Sequence, residues 1–474
     1  MTPEEFRRFG HQLIDWIADY RTRLADRPVM SRTEPGTIKN QLPASPPEHP
    51  EDFTAVFRDL ERIIEPGLSL WQHPHFYGYF PANAALASVL GDYLSTGLGV
   101  LGLSWQASPA LTELEEVVTD WMRQLVGLSP TRSGVIQDTS STRTLVALVC
   151  ARERATDYSL GRGGLQAETQ PLIVYTSDHS HSSVEKAALL AGFGRSNVRR
   201  IAHDEAYAMR PEELEVAIRR DLREGARPCA IVATSGTTIC TAFDPIAPLA
   251  ALARAHGLWL HVDAAMAGAA MILPECRALW QGIEAADSLV FNAHKWPGVA
   301  FDCSLYYVRD PEHLVRVMST NPSYLQSSSD GQVKNLRDWG IPLGRRFRAL
   351  KLWCLLRAEG VANLQARLRR DIVNARWLAE QVRSTPAWRV LAPVSLQTVC
   401  VRHDPPDLQG EALDRHTLAW VERINRSGMA YLTPAVLEDR WMARVSIGAE
   451  ATEREHVADL WKWMRQEAEH WTYP

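Results

Sequence analysis

The chain has 474 residues, 46% hydrophobic and 23% charged, enough to bury a large core divided among two or three structural units. A net charge of -5 and a pI near 6.3, with basic residues dispersed along the chain, give no electrostatic footprint for nucleic acid. No apolar run reaches the roughly 18 residues of a membrane span, and Met1 to Glu5 contains no basic-then-apolar leader, so no membrane partner and a cytoplasmic location are expected.

Thr2 and Glu5 form a capping-box pattern with Pro3 at the first helical position, and Phe6, Phe9, Leu13, Trp16, Ile17 and Tyr20 recur at helical spacing. The pattern predicts an amphipathic N-terminal helix whose apolar face packs either on a partner subunit or on its own chain. A Pro-rich stretch from Leu42 to Pro50 follows. From about Leu86 to Trp353, short apolar runs alternate with helical ones. Leu172–Tyr175, Ala230–Thr234, Trp259–Val262 and Ser288–Phe291 read as strands, with helical stretches such as Glu185–Ala191 and Pro245–His256 between them. The alternation predicts an α/β unit with a mostly parallel sheet, whose ligands sit beyond the carboxyl ends of the strands. The polar segment 321–335 reads as a mobile surface loop. After about residue 360 come a long helix, short strands at Trp388–Leu391, Thr398–Val401 and Arg444–Ile447, and a closing helix from Thr452, a smaller α+β unit.

Asp263 and Lys295 fall at the ends of two buried-looking strands, where a bare ammonium is costly to hide. A lysine bound covalently to pyridoxal phosphate carries no simple ammonium charge, and an aspartate can hold the cofactor's pyridine nitrogen protonated. A buried Lys-Asp ion pair is the competing reading. Asp138 to Thr142 place small hydroxyl residues at a helix start, either a phosphate cradle or a plain N-cap, and Ser235 to Thr238 make a second such loop after a strand. His179 and His181 share one face of an extended segment, yet no further ligands are evident and no metal site is expected. Seven cysteines without a CxxC pair read as core thiols. Trp71 to Pro81 is dense in aromatics interrupted by Gly and Pro, either core or the lining of a pocket for a flat side chain.

Together, HPHFYGYFP (73–81), SWQASPALTELE (104–115), GVIQ (134–137), HSSVEKA (181–187), HVDAA (261–265), NAHKW (292–296), FDCS (301–304) and IPLGRRFRALKLW (341–353) resemble the pyridoxal-phosphate-dependent group II amino acid decarboxylases, particularly the aromatic-L-amino-acid decarboxylases. The resemblance implies the type I pyridoxal-enzyme fold, a homodimer and a cofactor, pyridoxal 5'-phosphate. It further implies an N-terminal helical segment exchanged with the partner over 1–84, a large cofactor-binding domain over 85–358 and a small C-terminal domain over 359–474. Carried over by position, Lys295 is the Schiff-base lysine, Asp263 the pyridinium partner and His181 the imidazole stacked on the ring. Ser140, Ser141, Asn292 and His294 lie around the phosphate, and Thr237 contacts the cofactor. Trp71, Tyr79, Phe80 and the partner subunit's Leu101 and Leu103 line the substrate pocket, which offers no evident cation for a second acid group and suits an aromatic amino acid.

The implied reaction is decarboxylation of tryptophan, tyrosine, phenylalanine or dihydroxyphenylalanine to the arylalkylamine. Three positions depart from the family pattern. Leu336 stands where a tyrosine hydroxyl is thought to return the proton to Cα, which favours an aldehyde synthase as the alternative. Ala82 replaces a threonine, and Asp138 a glycine near the phosphate loop. Gly344 leaves room for an indole as well as a phenol. A non-catalytic dimeric scaffold is the remaining alternative.

Overall fold

The computed structural model describes residues 1–469, which divide into two compact units: Ala82–Val373 with Ala392–Thr398, and Met1–Pro81 with Asn374–Leu391 and Val399 onward.

The larger unit is built on seven strands: β1 (Ser133–Gln137), β2 (Leu172–Ser177), β3 (Val198–Ile201), β4 (Arg227–Thr234), β5 (Trp259–Asp263), β6 (Ser288–Asn292) and β7 (Ser304–Val308). Their order across the sheet is β1-β7-β6-β5-β4-β2-β3. The run from β6 to β3 is parallel, as the alternation of strands and helices predicts, while β7 pairs antiparallel with both β6 and β1. Every residue of β2, β5, β6 and β7 is buried, the signature of strands covered by helices on both faces. Each fully buried Val, Leu or Ile here stabilises the fold by about 1.5–3 kcal/mol. The predicted strands extend by one or more residues, so that Asp263 closes β5 and Asn292 closes β6.

The helix expected after residue 360 starts earlier, at Ala349, and runs to Arg383 with a kink at Gly360, whose φ of 72° belongs to the left-handed region. The segment read as a loop, 321–335, carries one short 3-10 turn, Ser323–Leu325, and a second, Leu336–Trp339, follows it directly. Asp330 gathers it by accepting from Ser327 N (3.1 Å), Ser327 Oγ (2.9 Å) and Asn335 Nδ2 (2.8 Å).

In the smaller unit, the N-terminal helix spans Pro3–Thr22, and both capping-box bonds form: Glu5 N donates to Thr2 Oγ1 at 3.2 Å and Thr2 N to Glu5 Oε2 at 2.7 Å. Phe9 packs on Phe53 (5.0 Å) and Trp16 on Phe57 (6.0 Å), but Phe6 and Ile14 remain exposed. Four strands, β8 (Trp388–Val390), β9 (Thr398–His403), β10 (Thr433–Leu437) and β11 (Arg440–Ser446), form a second sheet in the order β10-β11-β9-β8. The seven cysteines are free thiols, five of them buried. Among the described residues no helix is long and apolar enough to cross a membrane.

Candidate active site

In the larger unit, the chemistry-bearing residues gather at the carboxyl ends of β4, β5 and β6. Ser235 N donates to Asp263 O at 2.8 Å, so the loop after β4 lies directly against the end of β5. Ala265 N donates to Asp263 Oδ1 (3.1 Å), and Asn292 N to Ala265 O (2.8 Å), which ties the end of β6 to the same turn. Asp263 is 4% exposed, and desolvation raises its carboxyl pKa, while Lys295 and His181 pull it back down. Lys295 sits in the turn after β6, its amide donating to Asn292 O at 3.3 Å. Lys295, Asp263 and His181 thus form one electrostatic group, although His181 arrives from the turn after β2.

His181 is the N-cap of the helix Ser182–Leu190. Ser183 N donates to its Nδ1 at 3.1 Å, so the neutral ring carries its proton on Nε2. Desolvation lowers this imidazole's pKa, with Asp263 opposing and Lys295 adding to the shift. His294 has the same polarity: Cys303 N donates to its Nδ1 at 2.8 Å, leaving Nε2 as the donor. Burial, then Lys295, pushes the His294 pKa down to about 4.

Ser140 opens the helix Ser140–Ala155 and donates to Asn292 Oδ1 at 2.8 Å, which places two of the sequence candidates together. The N-cap residue Thr139 makes no side-chain cap bond, and Ser141, in the first turn, is exposed. The start of this helix is thus uncapped by its own side chain, and the buried hydroxyls of Thr234 and Ser235 have no hydrogen-bond partner. Thr237 is fully buried, and its hydroxyl accepts from Ala242 N at 3.0 Å within its own loop. A buried carboxylate beside a lysine, with a hydroxyl-flanked helix start uncapped by its own side chain, fits a phosphorylated pyridine cofactor.

Asp138 points its Oδ2 at Thr142 Oγ1 (2.9 Å), as a local cap. Sequence reading missed its counterpart, Arg143, which is fully buried with its guanidinium lying 5.6 Å from the Tyr306 ring centroid. Burial lowers the Arg143 pKa to about 9, while Tyr306 and Asp138 support its charge. The signal was available: Arg143, Val146, Ala147 and Cys150 share a buried helical face, and an arginine there needs an anion.

In the smaller unit, Trp71 stacks on Phe76 (4.7 Å) and on Tyr79 (5.4 Å), while Tyr79 also meets Tyr431 (5.6 Å). Gly78 is required because a Cβ there would run into the Tyr431 ring. Tyr79 has a φ of 48°, a conformation that costs a non-glycine residue about 1–2 kcal/mol. It is held there by its N–H donating to Thr433 Oγ1 (2.8 Å), by Tyr431 Oη donating to its hydroxyl (3.0 Å), and by Arg444 donating to its carbonyl. Arg444 also lies over the Phe80 ring at 4.2 Å. The sequence reading did not place this cation beside the aromatics. Arg444 and Tyr431 lie more than 350 residues from Tyr79, and no local spacing announces them. Leu101 is 60% exposed on the single chain, and Leu103 O accepts from Arg337 N at 3.1 Å.

Residues 35–404 match the model of the pyridoxal-dependent decarboxylase conserved domain. The chain is 40% identical to a phenylacetaldehyde synthase of Arabidopsis thaliana, covering 99% of this chain and 97% of that protein. It is also 40% identical to tryptophan decarboxylase 2 of Oryza sativa subsp. japonica, covering 99% of this chain and 95% of that one. A crystal structure of Oryza sativa TDC with PLP and tryptamine superposes with a TM-score of 0.96 at 34% identity, over 99% of this chain and 98% of that one. The fold is therefore that of the type I pyridoxal enzymes, the cofactor is pyridoxal 5'-phosphate, and the chain belongs to the pyridoxal-dependent decarboxylase family, similar to its plant aromatic amino acid decarboxylases and aldehyde synthases.

Proposed function

We propose that the protein decarboxylates aromatic L-amino acids to arylalkylamines and carbon dioxide, with Lys295, Asp263 and His181 as its catalytic residues. The observation that carries this reading is a buried Asp263 closing β5, tied through Ala265 to the end of β6 whose following turn carries Lys295, in a chain of the pyridoxal-dependent decarboxylase family. When bound, the cofactor supplies an electron sink for the pair left at Cα as carbon dioxide departs. Lys295 would hold the cofactor covalently through its side-chain amine. Asp263 keeps a proton on the ring nitrogen, its own desolvation offset by that cation. Ser140, Ser141, Asn292 and His294 would hold the phosphate end, and Thr237 would contact the cofactor. His181, neutral and protonated on Nε2, is the donor available to Cα. Trp71, Tyr79, Phe80 and the partner subunit's Leu101 and Leu103 bind the aromatic ring. Exposed Leu86, Leu90, Tyr93, Leu94 and Leu98 on one helix support the homodimer. From the resemblance we assign 1–84 to the segment exchanged between subunits, 85–358 to cofactor binding and 359–474 to the small C-terminal domain.

A second reading has its own observation. Leu336 is 1% exposed and carries no hydroxyl with which to return a proton to Cα. In that case dioxygen takes two electrons to become hydrogen peroxide, water releases ammonia from the carbon–nitrogen bond, and the product is the arylacetaldehyde with carbon dioxide. The discriminating experiment incubates the cofactor-loaded protein with tryptophan, tyrosine, phenylalanine and dihydroxyphenylalanine under air, and quantifies carbon dioxide, amine, aldehyde and peroxide together. Amine equal to carbon dioxide supports the decarboxylase. Aldehyde and peroxide equal to carbon dioxide support the synthase, and no carbon dioxide from any substrate defeats both.

A further inference from the structure

β2 and β3 are parallel neighbours in a register that pairs Ser177 with Ile201, and β3 is the edge strand of its sheet. Residues just past their carboxyl ends therefore emerge side by side. Asp178 and His179 follow β2 directly, His203 follows β3, and Asp178 N donates to Ile201 O at 3.2 Å. The spacing of His179 and His181 suggested a shared face, but the fold pairs His179 with His203 instead, their rings 4.4 Å apart and crossed at 68°. His203 Nδ1 lies 3.1 Å from each carboxylate oxygen of Asp178. One ligand atom from each of the three residues falls within 4.8 Å of the others.

We propose that Asp178, His179 and His203 bind a divalent transition ion of the zinc class. Two imidazoles and a carboxylate are a donor set that zinc takes, leaving a fourth position for water. Ligand atoms around tetrahedral zinc stand about 3.3 Å apart, as follows from bonds of about 2.0–2.1 Å, so small side-chain rotations close the shell. The backbone beneath the ligands is already fixed. His179 N donates to Ser177 Oγ at 3.1 Å, and Asp204 Oδ1 accepts from Ala206 N (2.8 Å) and Ala208 N (3.0 Å) to shape the turn after His203. That turn sets Tyr207 at a φ of 63°, stacking it on His203 at 5.4 Å and edge-on to His179 at 5.3 Å. Such packing around metal-binding imidazoles orients them. The neighbouring Arg200 guanidinium is engaged by Glu185 at 2.6 Å rather than by the Asp178 carboxylate. The site is half-exposed, which gives an ion entry, and occupancy clamps the edge strand to its neighbour.

The test uses untagged, cofactor-loaded protein stripped with a chelator. Zinc is titrated by calorimetry, and cobalt by its visible bands at wavelengths beyond the cofactor's absorption. One zinc per chain is expected, with affinity at least tenfold weaker in each of His203→Asn, His179→Gln and Asp178→Asn, and unchanged in the remote control His49→Gln. The three variants change different atoms on two elements, so a folding defect in one leaves the others to decide, with circular dichroism confirming the fold. Absence of saturable one-to-one binding, or binding that survives all three substitutions, overturns the site.

Discussion

The carboxyl ends of β4, β5 and β6 and the segment from Ser319 to Gly340 are held in opposite ways. At the strand ends, the backbone is tied to neighbouring strands, through Ser235 N to Asp263 O and Asn292 N to Ala265 O, and Asp263, Asn292 and His294 are buried. The segment is irregular and is anchored by side chains: Lys334 Nζ donates to Gly134 O at 2.6 Å and lies 3.7 Å from the Trp339 ring centroid. Burial there lowers the Lys334 pKa to about 8. Groups fixed by a sheet are held in place for the chemistry proposed above. Leu336 lies buried in the irregular segment, where the proposed alternative places control of the product. Substitutions at the strand ends should abolish chemistry, and those in the segment should divert it.

The sharpest test of that contrast is Lys295→Ala, which should lower turnover by about 1,000-fold or more and remove the cofactor's visible absorption band. A coloured, active variant would take the lysine out of the chemistry. Asp263→Asn should cost about 100- to 1,000-fold in turnover while the band persists at a shifted wavelength, as a group acting on the ring nitrogen requires. Near-normal rates would mean that Asp263 only balances the Lys295 charge. Leu336→Tyr should raise the amine-to-aldehyde ratio by about tenfold with little change in carbon dioxide release. An unchanged ratio under air would place control of the product elsewhere.

The smallest effect is on acid stability. Burial pushes His261 down to about 3, so the unfolded chain binds a proton that the folded chain refuses. Its stabilisation is complete above about pH 6.5 and is lost as the pH falls toward 3, by at most about 1.4 kcal/mol per pH unit. Asp244, pushed up to about 7 by burial, works in the opposite sense: its stabilisation is complete at low pH and is lost as the pH rises through 7. His261→Asn should therefore flatten the fall in melting temperature below pH 6.5, even with a lower melting temperature overall. A slope equal to that of the wild type would assign the proton uptake to other buried histidines such as His73, held at about 4.

Much of this protein was legible in one dimension. The apolar runs at Trp259–Val262 and Ser288–Phe291 predict buried parallel strands because helices cover both faces of such a sheet, and the capping box at Thr2 predicts its helix because the bonds it makes are local. Lys295, Asp263 and the hydroxyls at Ser140 stand out because a charge or a small polar group at the end of an apolar strand needs a chemical reason. Tertiary structure alone decided which distant groups answer one another. Ser140 meets Asn292, Arg143 faces Asp138 and Tyr306, Arg444 covers Phe80, and His179 crosses His203 rather than sharing a site with His181. Periodicity records what each residue does to its own helix or strand. The register of β2 on β3, and the return of Tyr431 and Arg444 to Tyr79, come from long-range packing, which no local pattern encodes.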